Sequence, residues 1–113
     1  MKSIFIGSES RNSGKSIVSI CLGMYLKEQG SRAGYFKPYG TVPLLGGEGN
    51  LVDEDASVIK ERLGQEDDLR DMSPVVYTPD LMHGIYRGEA TGFREKILSA
   101  YNRVKEKKDV LLI

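Results

Sequence analysis

The chain has 113 residues, with 16 Lys+Arg against 16 Asp+Glu, 40% hydrophobic and 28% charged residues, one Cys, one His and no Trp, the make-up of one globular domain. A net charge of zero excludes a sequence-independent nucleic-acid binder, which needs a clustered positive surplus, and a lone Cys excludes an internal disulfide. The opening Met1 to Gly7 has too short an apolar run for a signal peptide or a membrane span, so a cytoplasmic location is the expectation.

Ser3 to Ile6 is a short apolar run stopped by Gly7 and reads as a strand buried on both faces. A polar, glycine-bounded loop follows. From Lys15 to Gln29, Ile17, Ile20, Cys21 and Met24 lie on one stripe, with Val18, Leu22, Tyr25 and Leu26 beside it, before Gly30 stops the run. Such a helix, apolar around most of its girth, is expected to be central, with Cys21 on its buried side.

Arg32 to Lys37 reads as a second strand ended by Pro38, and Tyr39 to Leu51 as a loop rich in Gly and Pro. Val52, Ala56, Ile59 and Leu63 recur at helical spacing, with Asp53 placed to cap a helix over Asp53 to Leu63 and Gly64 just past its end. Gln65 to Thr91 reads as mostly loop because of Pro74, Pro79, Gly84 and Gly88, with a short strand within Met72 to Thr78 as the exception, and His83 is expected on the surface.

Phe93, Ile97, Leu98, Tyr101 and Val104 mark a third helix, whose carboxyl end carries Lys105, Lys107 and Lys108. Asp109 to Ile113 is a final apolar strand. This order predicts an α/β domain with a largely parallel sheet over residues 1–113, without repeat or linker. A core strand at the very end of a chain is unusual, so the sequence is expected to be the N-terminal piece of a longer protein; the alternative is a short chain whose last strand pairs in a homo-oligomer.

The chemistry concentrates in Gly7-Ser8-Glu9-Ser10-Arg11-Asn12-Ser13-Gly14-Lys15-Ser16, between the first strand and the first helix. A phosphate-binding loop needs small residues that let N–H groups turn inward, a Lys for the phosphates, a hydroxyl for Mg²⁺ and a helix N-terminus behind them. Gly14, Lys15 and Ser16 meet those demands, although Glu9 stands where the strict pattern has its first glycine. The plainer reading makes Ser13 a helix cap and Lys15 a solvated charge.

Lys37, before Pro38 at the end of the second strand, should stand at the sheet's carboxyl edge, either as a surface lysine or as a cation for a transferring phosphate. Asp53-Glu54-Asp55 opens the second helix, where a carboxylate either caps and compensates the dipole or helps to hold Mg²⁺. Tyr35, Tyr39 and Tyr77 either stack on a base or pack the sheet edge, packing being the commoner role.

I-G-S-E-S-R-N-S-G-K-S, then G-Y-F-K-P-Y-G, then V-D-E-D-A-S-V-I-K-E-R-L-G resembles the dethiobiotin-synthetase-like P-loop proteins, above all the domain of that kind at the N-terminus of some phosphotransacetylases and in stand-alone archaeal and bacterial relatives. The likeness covers Lys2 to about Leu63 well and the final helix and strand loosely. It implies a three-layer P-loop NTPase fold and a nucleotide-binding run of Ser13, Gly14, Lys15, Ser16 and Ile17, with Thr41 facing an acceptor pocket. It further implies ATP and Mg²⁺ as cofactors, Lys15 and Lys37 as the catalytic cations, and Ser16 and Asp55 as the metal ligands.

Two departures from the family pattern bear on activity. Asn12 replaces a usual acid of the loop, and a second acidic Mg²⁺ ligand is expected directly after the strand that ends at Ile113. Three readings follow: a nucleotide- or metabolite-sensing module of a phosphotransacetylase-type protein, an ATP-dependent ligase that phosphorylates a carbamate or carboxylate and closes a ring, and a structural remnant that associates through its edges. Beyond nucleotide, the acceptor is an unspecified small molecule, with no nucleic-acid or membrane partner expected.

Overall fold

The computed structural model describes residues 1–8, 14–45, 50–89 and 92–113. Its main sheet has β7 (Val110–Leu112) at the centre, parallel to β1 (Lys2–Ile4) on one side and to β2 (Ala33–Tyr35) on the other. Val-Leu-Leu suits that position because a parallel strand covered on both faces must be apolar throughout. Val110 and Leu112 pack in one core with Tyr35, Ala56, Ile59, Leu63 and Met72; Leu111, pointing the other way, packs with Phe36, Ala100 and Val104. Helices α1 (Lys15–Glu28) and α2 (Glu54–Leu63) cover the first face and α5 (Phe93–Lys105) the second, which gives the expected three layers.

Two expectations about burial are corrected. The first strand is Lys2–Ile4 and exposed, because only β7 pairs with it among the described residues. Helix α1 is not wrapped all round: Ile17, Val18, Met24 and Tyr25 are exposed, and so is Cys21. The helix packs Ile20, Leu22 and Leu26 against the core, and its buried positions are small residues. Ser19 and Gly23 are buried, and a Cβ on Gly23 would come within 2.8 Å of Leu63 Cδ2, so the missing side chain is what lets α1 and α2 approach.

Helix α2 begins one residue later than expected, with the Asp53 carboxylate accepting from Ala56 N–H at 3.0 Å and Gly64 in the left-handed region at φ 64°. The stretch expected as loop after Pro38 holds three short strands: β3 (Tyr39–Gly40), and the antiparallel pair β4 (Pro43–Leu45) and β5 (Leu51–Asp53). Two and three residues are too few to show an alternation.

Gln65 to Thr91 is also more ordered than expected, with α3 (Leu69–Met72), β6 (Val75–Val76) parallel to β3, and α4 (Pro79–Tyr86), whose exposed surface includes His83. Thr78 caps α4 through Leu81 N–H, and Pro79 opens it, a start signal legible in Thr78-Pro79-Asp80. The outer edge of β2 is closed by a side chain: Gln65 accepts from Tyr35 N–H at 2.8 Å and donates to Tyr35 O at 3.3 Å, as a neighbouring strand would. Among the described residues no helix is long and apolar enough to cross a membrane.

At the amino edge Asp109 takes Arg32 N–H at 2.9 Å and its guanidinium at 3.0 and 3.2 Å, tying β2 to β7. These bonds hold the Asp109 carboxyl down at about 2, and the side chain and backbone of Arg70 hold Asp68 there too. A depressed folded pKa means that the unfolded chain binds more protons, so this stability is complete above about pH 4 and lost as pH falls towards 2. In urea unfolding over that window, Arg32→Gln should flatten the fall of the midpoint with acid; an unchanged slope would show that the pair carries none of it.

Candidate functional site at the carboxyl edge

The chain between β1 and α1 contains residues 9–13, so the Ser13 assignment lies outside the described residues. Gly14 is at φ 92°, a left-handed conformation that places it as the N-cap residue of α1, and the first helical bond runs from Val18 N–H to Gly14 O at 3.0 Å. Among the described residues no side chain caps this end, and no acidic residue stands in the first turn of the helix. The positive dipole end of α1 starts here, and among the described residues nothing lies within 4 Å of where a Gly14 Cβ would stand. Lys15 and Ile17 are exposed in this turn, and Ser16 is half-buried.

Beyond β2 the backbone leaves the sheet: Phe36 N–H still bonds to Leu112 O, whereas Lys37 N–H turns to Met72 O at 2.7 Å. Pro38 then prevents continuation of the ladder. The Lys37 side chain is not a free surface lysine. Its Nζ stands 3.1 Å from Asp55 Oδ2 and 3.2 and 3.3 Å from the two oxygens of Asp53. Asp53 is fully buried, Asp55 is 41% exposed and Lys37 20% exposed.

Asp53 thus does two things, since one of its oxygens also caps α2. Its place is shaped by Gly40, where a Cβ would fall 2.7 Å from Asp53 Cβ. Glu54 N–H bonds to Val42 O at 3.0 Å, so the bend between β3 and β4, which carries the exposed Thr41, lies against the start of α2. Tyr35 is buried near this acid pair; burial first, then the charges of Asp53 and Asp55, push its hydroxyl well above the ordinary tyrosine range, so it stays neutral and packs.

Because β1, β7 and β2 are parallel, the loop after β1 and Lys37 after β2 leave the sheet at the same edge, flanking Ile113, which bonds to Ile4 O and Ile6 N–H. The carboxyl ends of α1 and α2 meet at the other edge, where Lys27 Nζ donates to Leu63 O. Lys15, Ser16, Lys37 and Asp55 therefore gather at the crevice end of an open α/β sheet. Sequence reasoning placed Lys37 and Asp55 there but gave Asp53 only its capping role; the alternating Asp53 and Asp55 across a helix start, with Gly40 upstream, was the available signal. An open cleft of about 450 Å³, lined by Lys27, Arg32, Gln65 and Lys108 among others, lies at the opposite edge.

A parallel sheet whose first strand leads through a glycine-bounded loop into a helix opened by Gly14-Lys15-Ser16 defines a P-loop NTPase-type domain. Residues 2–113 match the model of a family described as an AAA domain, and the chain belongs to that family. It is 34% identical to the ATP-dependent dethiobiotin synthetase BioD of Methanocaldococcus jannaschii over 97% of this chain and 50% of that protein. To the protein of the same name from Methanococcus vannielii it is 29% identical over 97% of this chain and 49% of that one. This is a dethiobiotin-synthetase-like P-loop NTPase domain, and it spans about half the length of the curated relatives it matches.

Proposed function

We propose that this domain binds ATP with Mg²⁺ at the carboxyl edge and serves an ATP-dependent ligation of the kind its relatives are named for. The observation that carries the reading is the glycine-opened start of α1, with no acidic residue in its first turn, at the same edge as the Lys37–Asp55 pair. The donor set fits the metal: the Ser16 hydroxyl and the partly exposed Asp55 carboxylate are hard oxygen donors of the sort Mg²⁺ takes beside nucleotide phosphates. When bound, the ion neutralises charge on the phosphates.

The chain's own residues then act by position and charge. The N–H groups at the start of α1 orient the phosphates, Lys15 adds a cation from the first helical turn, and Lys37 supplies a second from the opposite side of Ile113. Thr41, in the bend between β3 and β4, is the proposed contact to an acceptor. The sensing role in a phosphotransacetylase-type protein draws on the resemblance to the N-terminal domain of those proteins and on Asn12 in the loop, whereas both curated relatives above are named as synthetases.

Calorimetric titration of ATP with Mg²⁺ into the wild-type chain and into Lys15→Ala tests the reading. Saturable binding should weaken at least about tenfold in the variant, the scale of one lost charge-assisted hydrogen bond. Equal binding by both proteins would remove the phosphate loop from the proposal.

A further inference from the structure

We propose that Asp53 is the residue that positions Lys37, and that Asp55 is a removable partner which the ammonium gives up when a magnesium nucleotide arrives. The inference deepens the nucleotide reading and rests on it for the identity of the arriving group. Distance alone does not rank the two acids, since Nζ is 3.2 Å from Asp53 Oδ2 and 3.1 Å from Asp55 Oδ2. Burial does. Asp53 has no exposed surface, so losing its cation would leave an uncompensated charge out of reach of water. Asp55, 41% exposed, rehydrates at little cost.

Asp53 is also held in place. Ala56 N–H donates to its Oδ2 at 3.0 Å, and the backbone of Gly40 lies where no side chain would fit. Lys37 is tethered at its own backbone by Met72 O and by Pro38. The ammonium therefore has one fixed counter-ion and one hydrated one. A divalent cation accepted by Asp55 would face a like charge 3.1 Å from the same oxygen. The ammonium yields that bond, keeps Asp53, and offers the freed donor to a phosphate oxygen; no covalent bond forms or breaks in this exchange.

The test compares hydrogen exchange of the Lys37 ammonium, read by ¹⁵N NMR of lysine-labelled protein, in the wild type, Asp53→Asn and Asp55→Asn. Asn is as good an N-cap as Asp, so Asp53→Asn removes the charge and keeps the start of α2, which circular dichroism verifies. Exchange should accelerate about tenfold or more in Asp53→Asn and less than about threefold in Asp55→Asn, as the loss of a buried and of a hydrated charged partner requires.

ATP titrated without Mg²⁺ should bind about fivefold tighter to Asp55→Asn than to the wild type, because the ammonium is already released, and weaker to Asp53→Asn. Equal acceleration in the two variants, or a larger one in Asp55→Asn, overturns the assignment of the anchor. Metal-free affinity unchanged by Asp55→Asn overturns the release. Absence of ATP binding in all three proteins overturns the release together with the nucleotide reading, whereas the exchange rates decide the anchor by themselves.

Discussion

Lys37→Met should lower the unfolding free energy by about 3 kcal/mol, the scale for stranding one member of a buried ion pair. The cause is Asp53, which has no exposed surface and, among the described residues, would keep only the Ala56 N–H as partner. Denaturant unfolding measures the loss, and a second substitution identifies its source. Adding Asp53→Asn to Lys37→Met should restore most of the stability, because the stranded charge is gone while the cap remains. Asp55→Asn alone should cost under about 1 kcal/mol, as expected of a solvated pair. A small loss in Lys37→Met, or no recovery in the double variant, would show that Asp53 is not left as an uncompensated buried charge.

The other large effect is expected in the centre of the sheet. Leu112 has no exposed surface and points into the core formed with Ile59, Leu63 and Met72, beneath α1 and α2. Leu112→Ala should cost about 3 kcal/mol, from lost transfer energy and the cavity left between strand and helices. A domain of this size has in all roughly 5 to 15 kcal/mol, so the urea midpoint should fall steeply. Leu98, 46% exposed on α5, is the internal comparison: its truncation should stay under about 1 kcal/mol. Similar losses at the two positions would mean that β7 is not the centre of the core.

The relation between these two regions is what the one-dimensional pattern could and could not show. The strand–loop–helix start, the second strand ending at Lys37-Pro38, the Asp53 cap with Gly64 behind it, and the all-apolar terminal strand were legible because each rests on neighbours in the chain. The strands β3, β4 and β5 were not, since they are held by pairing rather than by pattern: Tyr39 and Gly40 are strand because Val75 and Val76 lie beside them. Helix α4 could have been found from Thr78-Pro79, but the glycines and prolines around it outweighed that signal.

Burial was the least legible property. The apolar girth of α1 implied a helix enclosed on all sides, yet its most buried residues are Ser19 and Gly23, beside the partly buried Ile20, Leu22 and Leu26, and Gly23 sits where a side chain would collide with Leu63. The sequence by itself determined the chemical inventory: a glycine-opened helix with Lys15 and Ser16, a lysine stopped by a proline, and acids at a helix start. Which of those groups meet was decided only by the tertiary structure. Parallel pairing of β1, β7 and β2 brings the loop and Lys37 to one edge, and the depth at which α2 is seated leaves Asp53 dry and Asp55 wet. Two carboxylates two residues apart become inequivalent because the energy of a charge depends on its access to water, which local sequence does not encode.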